Sequence, residues 1–150
     1  RFLPHGFLPL TMRFDAEIYY QNHALVSGYY DSDYQGFELQ GIQTQSLKNI
    51  IAYTQSFRIP VVFVNMPLTD HYFDPVRSAY EEKFREHMER VAAETGLVFL
   101  DLGWRWPDNY DYFSDPSHLN RYGAIAVAEY LATQQVIPWP DNDIIANPKL

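Results

Sequence analysis

Two short apolar runs constrain the fold more than anything else in the chain. Val61-Val62-Phe63-Val64-Asn65 and Leu97-Val98-Phe99-Leu100-Asp101-Leu102 are rich in β-branched and aromatic residues and do not alternate with polar ones. Continuous runs of this kind read as strands of a parallel sheet, covered on both faces. The stretch between them predicts a helix from about Pro75 to Thr95. Pro75 suits the first helical position, Asp74 the cap before it, and Gly96 the stop. Val76, Tyr80, Phe84, Met88 (or His87) and Val91 would form its core stripe, and the charged residues from Glu81 to Arg90 a solvated face with i,i+4 pairing. A preceding helix is expected from about Gln40 to Phe57, with Leu47, Ile50, Ile51, Thr54 and Phe57 inward, ended by Arg58-Ile59-Pro60. A last helix opens near Asn120 and runs to about Gln134, its apolar face made by Ala124, Ile125, Val127, Ala128 and Leu131. Helix, strand, helix, strand, helix is an α/β layout with a parallel sheet. It is read as a single domain, with an irregular lead-in over 1–39 and an irregular tail over 135–150.

At 150 residues the chain has the mass for one real core, and a hydrophobic content of 47% places it among globular chains. The net charge of −8 argues against nucleic acid and against an anionic membrane surface as partners. With no cysteine, disulfides, zinc–thiolate sites and a thiol nucleophile are excluded. No apolar run approaches the roughly 20 residues of a membrane span, and there is no signal-peptide pattern.

The lead-in is punctuated by turn formers. Phe2 to Leu10 is apolar but carries Pro4, Gly6 and Pro9, which predicts an extended segment against the core. Asp15 to Tyr20 suits a short helix or turn, and Ser27 to Tyr34 a loop. Seven tyrosines and phenylalanines from Phe14 to Phe37 could line a ligand groove or cover the edge of the core; the second reading is preferred.

The chemistry concentrates in Ser114-Asp115-Pro116-Ser117-His118-Leu119-Asn120-Arg121-Tyr122-Gly123. Histidine is the usual base at neutral pH, and a carboxylate beside it can hold its tautomer and stabilise the imidazolium. Asp115 and His118, three apart in a loop stiffened by Pro116, can point to one cleft. Ligands of open α/β sheets bind outside the carboxyl ends of the strands. The loops 65–75 and 103–119 both leave such ends, so they should border one cleft containing His118. Asn65, His71, Tyr72 and Asn120 are the candidate binding residues around it. The plainer alternatives stay open: an Asp-x-x-His that only shapes a turn and caps the helix, His71 in a solvated loop, His87 on the surface. No two histidines have the i,i+2 or i,i+4 spacing of a metal site, and there is no phosphate-binding glycine loop or dinucleotide fingerprint. Neither metal nor cofactor is expected.

The buried strand ending in Asn, the long helix, Gly96-Leu-Val-Phe-Leu-Asp-Leu102, and then Asp115-Pro-Ser-His118-Leu-Asn-Arg-Tyr-Gly123 before an alanine-rich helix resemble the C-terminal half of an SGNH (GDSL-type) hydrolase over roughly residues 40–133. Val62-Phe-Val-Asn-Met-Pro-Leu-Thr69 and Asp111-Tyr-Phe-Ser-Asp-Pro-Ser-His-Leu-Asn120 look most like the cyanobacterial DUF1574 family, related to the DltD and alginate-acetylation branch. The resemblance implies a three-layer, flavodoxin-like parallel sheet, of which this chain carries the C-terminal part. It implies His118 as general base and Asp115 as the residue that orients it. It implies an esterase or O-acyltransferase acting on an acylated carbohydrate, a small ester or a cell-envelope polymer, in an extracytoplasmic or membrane-associated parent protein. The family's nucleophilic serine follows its first strand in a Gly-Asp-Ser-like turn, and its oxyanion hole adds a Gly and an Asn from later blocks. None of these is found here. Ser27-Gly28 lacks a preceding strand, and Asn65 follows a different strand from the family's Asn. The serine is therefore expected upstream of Arg1. Two other readings compete: a non-catalytic carbohydrate-binding or assembly module, and a remnant whose Asp-x-x-His is structural. Two parallel strands rarely suffice for a sheet. The N-terminal segment is thus expected to add a strand, or the chain to pair with another copy or with a missing half.

Overall fold

The computed structural model describes residues 9–140. The apolar stretch before Pro9, with His5, and the polar end after Pro140 lie outside them. Within them the chain is a mixed α/β protein. Helix α1 (Ala16–Tyr19) is a single turn capped by the Asp15 carboxylate on the Ile18 amide at 3.1 Å. A second turn, α2 (Val26–Tyr29), and a 3-10 turn, Asp31–Tyr34, occupy the segment expected as a loop. Then come α3 (Ile42–Ser56), β1 (Val62–Asn65), α4 (Pro75–Thr95) and β2 (Val98–Asp101). The local signals operate as read. Asp74 accepts from the Arg77 amide at 2.8 Å, Pro75 opens α4, and Gly96 ends it at φ 75°, a left-handed conformation that costs glycine little.

Strands β1 and β2 pair in parallel, Val62 opposite Val98 through to Asn65 opposite Asp101. Ile51 of α3, Met88 and Val91 of α4 and Leu97 form the core beside them, with Leu47, Phe63, Phe84 and Phe99 packed around it. Two expectations are corrected here. The strands are half-buried rather than covered on both faces, and each has a strand on only one side. Among the described residues no third strand joins that sheet. The segment 10–14 instead hydrogen-bonds to residues 113 and 121, well after that sheet, Phe14 N–H to Phe113 O at 2.8 Å and Arg121 N–H to Leu10 O at 2.8 Å. Helix periodicity also overreached in places: Ile50, Phe57 and Ile125 face outward, at 55%, 61% and 47% exposed.

After β2 the chain does not form one open loop. A 3-10 turn, Tyr110–Tyr112, leads into a small antiparallel hairpin, β3 (Phe113–Asp115) and β4 (His118–Leu119), with Pro116 and Ser117 at its tip. Helix α5 (Arg121–Ala132) follows at once, with Phe113, Val127 and Ile137 buried in this half of the molecule. Gly123 lies so close to this hairpin that a Cβ there would sit 2.2 Å from the Tyr112 carbonyl oxygen and 2.8 Å from Leu119 Cδ2.

Candidate functional site

The hairpin tip holds Asp115 and His118 by local hydrogen bonds. One Asp115 oxygen, Oδ1, accepts from the Ser117 amide at 2.9 Å and from the His118 amide at 3.0 Å. Both bonds belong to the turn that Pro116 and Ser117 make. The same carboxylate faces the imidazole: His118 Nδ1 lies 2.9 Å from Oδ1 and 3.0 Å from Oδ2. Nδ1–H therefore donates to Asp115, and the Nε2 lone pair is left on the far side of the ring. The His118 side chain is 74% exposed and Asp115 26%, so the base is accessible while its partner is mostly covered. Asp115 does not cap α5. Asn120 does, accepting from the Tyr122 amide at 2.8 Å and the Gly123 amide at 3.1 Å.

The loop after β1 braces this hairpin, as expected for two loops at the carboxyl ends of neighbouring strands. Leu68 N–H bonds to Gly103 O at 3.0 Å and Asp70 N–H to Pro107 O at 2.9 Å. Thr69 is fully buried and donates twice to the Pro116 carbonyl, from its amide at 3.1 Å and its hydroxyl at 2.8 Å. Tyr110 donates its hydroxyl to Asp70 at 2.8 Å; burial and that carboxylate push its pKa up to about 12.

A cleft of about 410 Å³ opens between the hairpin and the segment 26–37. His118 and Asp115 form one wall, and Tyr19, Tyr30, Tyr34, Phe37 and Tyr72 supply aromatic surface. Of the seven lead-in aromatics, Tyr19, Tyr30, Tyr34 and Phe37 line this cleft, while Phe14 is buried and packs edge-on against Tyr20 and His71. The Tyr34 and Tyr72 hydroxyls meet at 3.0 Å, and burial followed by that contact raises the Tyr34 pKa.

The candidate binding residues separate. Tyr72 lines the cleft. His71 lies in an edge-on aromatic cluster with Phe14 and Tyr110, ring centroids 5.3 Å away in each case, and does not line that cleft. Asn65 sits at the end of β1 with its amide on Asp101 at 2.9 Å and Glu81 at 3.2 Å, also outside the cleft. Burial, and secondarily Asp101, raises the Glu81 pKa, while the Asn65 hydrogen bond opposes the shift. Asn120 is 1% exposed and its amide nitrogen donates to the Met12, Asp111 and Phe113 carbonyls, so it holds backbone together and does not face a ligand. His87, expected on the surface, is buried and bonded to the Thr44 hydroxyl at 3.0 Å.

Sequence reasoning missed Arg77. It sits in the first turn of a charged helix, yet is 1% exposed and borders the cleft. Its Nη1 pairs with Asp31 at 2.8 Å and with Asp74. Burial acts against the Arg77 charge, and the two carboxylates outweigh it.

Among the described residues, no hydroxyl is placed on His118 Nε2. The Ser117 hydroxyl is at Nδ1, 3.2 Å away, and Ser114 donates to the His118 carbonyl at 3.2 Å. Comparison of the chain with protein-family models, with curated proteins and with solved structures finds no match in any of the three.

Proposed function

We propose that this chain supplies the His–Asp pair of a serine esterase or O-acyltransferase of the SGNH type, acting on an acylated carbohydrate or cell-envelope polymer. On this reading the α/β core is the C-terminal part of a three-layer, flavodoxin-like domain. The observation that carries it is the hydrogen bond between His118 Nδ1 and Asp115, on an exposed imidazole that lines an aromatic cleft. That arrangement suits a general base. His118 Nε2 would take the proton of an attacking serine, supplied from outside residues 9–140, and Asp115 would stabilise the imidazolium that results. The proton then passes to the departing sugar oxygen, and water or an acceptor hydroxyl releases the acyl group by the reverse sequence.

The test is ester hydrolysis by the full-length protein. His118→Ala should cost several orders of magnitude in kcat, and a loss below about tenfold would remove His118 from the mechanism.

A second reading is a non-catalytic glycan-binding or assembly module. It is favoured by the aromatic lining of the cleft together with the lack of a hydroxyl at Nε2 among the described residues. Saturable sugar binding by a full-length protein that turns over no ester would select it.

A further inference from the structure

Helix α3 is apolar on two sides. Leu47 and Ile51 turn into the core. On the other side Ile42, Ile50, Tyr53 and Phe57 are all exposed, Ile42 at 78% and Tyr53 at 68%. Together with exposed Ser46 they recur at intervals of three and four residues, which aligns them in one stripe along the helix. At 1.5 Å per residue the stripe is about 22 Å long. The Tyr53 and Phe57 rings already pack edge-on at 5.1 Å, and the Ser46 hydroxyl is satisfied within the helix by the Ile42 carbonyl at 2.8 Å. The single charged residue of α3 is Lys48, which is drawn to Glu94 of α4 at 2.6 Å. A water-facing stripe with large apolar side chains and no charge has the composition of an interface centre.

The order of residues indicates what covers it. Ile42 and Phe57 lie equally far from the point between Asn49 and Ile50, and so do Ser46 and Tyr53. Two copies of α3 packed antiparallel about a two-fold axis at that point would set each Tyr53 over Ser46 of the other copy and each Ile42 against Phe57 of the other copy. The two Ile50 side chains would meet at the axis. Large then faces small, as helices 8–10 Å apart require. The ends also match. Glu38 lies beside the first turn, its Oε2 3.2 Å from where a Cβ on Gly41 would stand, and Arg58 directly follows Phe57. Both are exposed, and neither has an ion pair among the described residues. Antiparallel packing brings Arg58 of each copy to the end that carries Glu38 of the other, and opposes the helix dipoles. Chains of net charge −8 repel one another in general, and an uncharged stripe with opposite charges at its ends is where that repulsion is least.

We propose that the outward stripe of α3 is a homodimer interface, in which a second copy of this chain packs its own α3 antiparallel about a two-fold axis at Ile50. One helix face per copy is less than the roughly 800 Å² per partner of a standard interface, so the dimer is weak, with a Kd in the micromolar range. The inference draws on neither the esterase nor the carbohydrate reading.

The experiment is sedimentation velocity of the full-length protein from about 1 to 200 μM, a range that brackets such a Kd. A reversible monomer–dimer equilibrium is expected. Ile50→Glu places two carboxylates at the axis and should raise the Kd at least tenfold. The chain has no cysteine, so single introduced cysteines report the register. Ile50→Cys should oxidise to a covalent dimer by itself. Ser46→Cys mixed with Tyr53→Cys should cross-link across the two variants and not within either. Like positions would lie about 10 Å apart along the axis, beyond the roughly 5–6 Å between Cα atoms that a disulfide spans. A protein that stays monomeric throughout overturns the proposal, and so would result if the stripe were seated on another part of the full-length chain or on a different protein. A dimer unaffected by Ile50→Glu, or a Ser46→Cys variant that pairs with itself, overturns it too. If Ile50→Glu melts well below the parent, the cross-links decide alone, and failure of Ile50→Cys to form a dimer is a refutation.

Discussion

Thr69 donates its hydroxyl proton to the Pro116 carbonyl oxygen at 2.8 Å, and its amide reaches the same oxygen at 3.1 Å. One residue from the loop after β1 thus fixes the tip that carries Asp115 and His118. Thr69→Val keeps the shape and the amide bond and removes the hydroxyl. The lost buried hydrogen bond should cost about 1–2 kcal/mol, a fall of a few degrees in Tm for a chain of this size. Calorimetry checks the fall. A side-chain NMR signal of His118 that broadens in the variant would tie the bond to the position of the base, and an unchanged Tm would mean that the amide alone suffices.

Gly123 marks where α5 presses on the hairpin. A Cβ there would lie 2.2 Å from the Tyr112 carbonyl oxygen, and the same oxygen accepts the Asn120 amide at 2.9 Å. Backbone cannot yield as a flexible side chain can. Gly123→Ala should therefore destabilise by about 3 kcal/mol or more, although alanine is the better helix former at an unhindered site. Chemical denaturation of both proteins measures this; a variant as stable as the parent would mean that α5 can retreat from the hairpin at little cost.

Asn120 separates a structural role from a binding one. Its oxygen caps α5 and its nitrogen serves three carbonyls from two parts of the chain. Asn120→Asp keeps the cap and replaces the donor by a charged acceptor that faces those carbonyls. Asn120→Ala removes both functions. Each should lower stability by roughly 2–4 kcal/mol, with the aspartate no better than the alanine despite its intact cap. Were the side chain a ligand contact instead, the aspartate variant would melt like the parent and only binding would change.

The same contrast shows which parts of the molecule were readable. Strands β1 and β2, helices α3, α4 and α5, the Asp74 cap and the Gly96 stop follow from local patterns. Each depends on residues adjacent in sequence or one helical turn apart. The Asp115–His118 pair was legible for the same reason, since its geometry is made within one turn. Arg77 was not. Its burial depends on Asp31, forty-six residues earlier, and nothing in a charged helix marks which cation turns inward. His87 is a similar case, covered through Thr44 of another helix. The hairpin β3–β4 escaped because its strands are too short and irregular to show alternation, with a register shift between Phe113 and Asp115.

His87 gives a pH dependence of known sign. Burial chiefly, with help from Arg90 and Lys48 and against Glu94, holds its folded-state pKa below the ordinary value near 6.5. The unfolded chain then binds the proton more readily than the folded one. The associated stability is present in full above the unfolded pKa and is lost as pH falls below it, until the folded pKa is passed. The Tm should drop between pH 7.5 and pH 5. His87→Gln, which can still bond Thr44, should show a shallower drop over that interval. Parallel curves for the two proteins would remove His87 as a contributor.

Asp115 both accepts the turn amides and bonds the His118 ring, and two substitutions separate the turn from the proposed catalytic role. Asp115→Asn keeps an oxygen for the Ser117 and His118 amides but loses the charge opposite Nδ1 and favours the wrong imidazole tautomer. Asp115→Ala loses the turn acceptor too. In the full-length protein Asp115→Asn should melt close to the parent while its kcat for ester hydrolysis falls by about a thousandfold or more with little change in KM. Asp115→Ala should add a loss of stability of about 1 kcal/mol or somewhat more. If both substitutions lower Tm and neither lowers kcat beyond the unfolded fraction, the Asp-x-x-His is a turn device and the carboxylate has no part in catalysis.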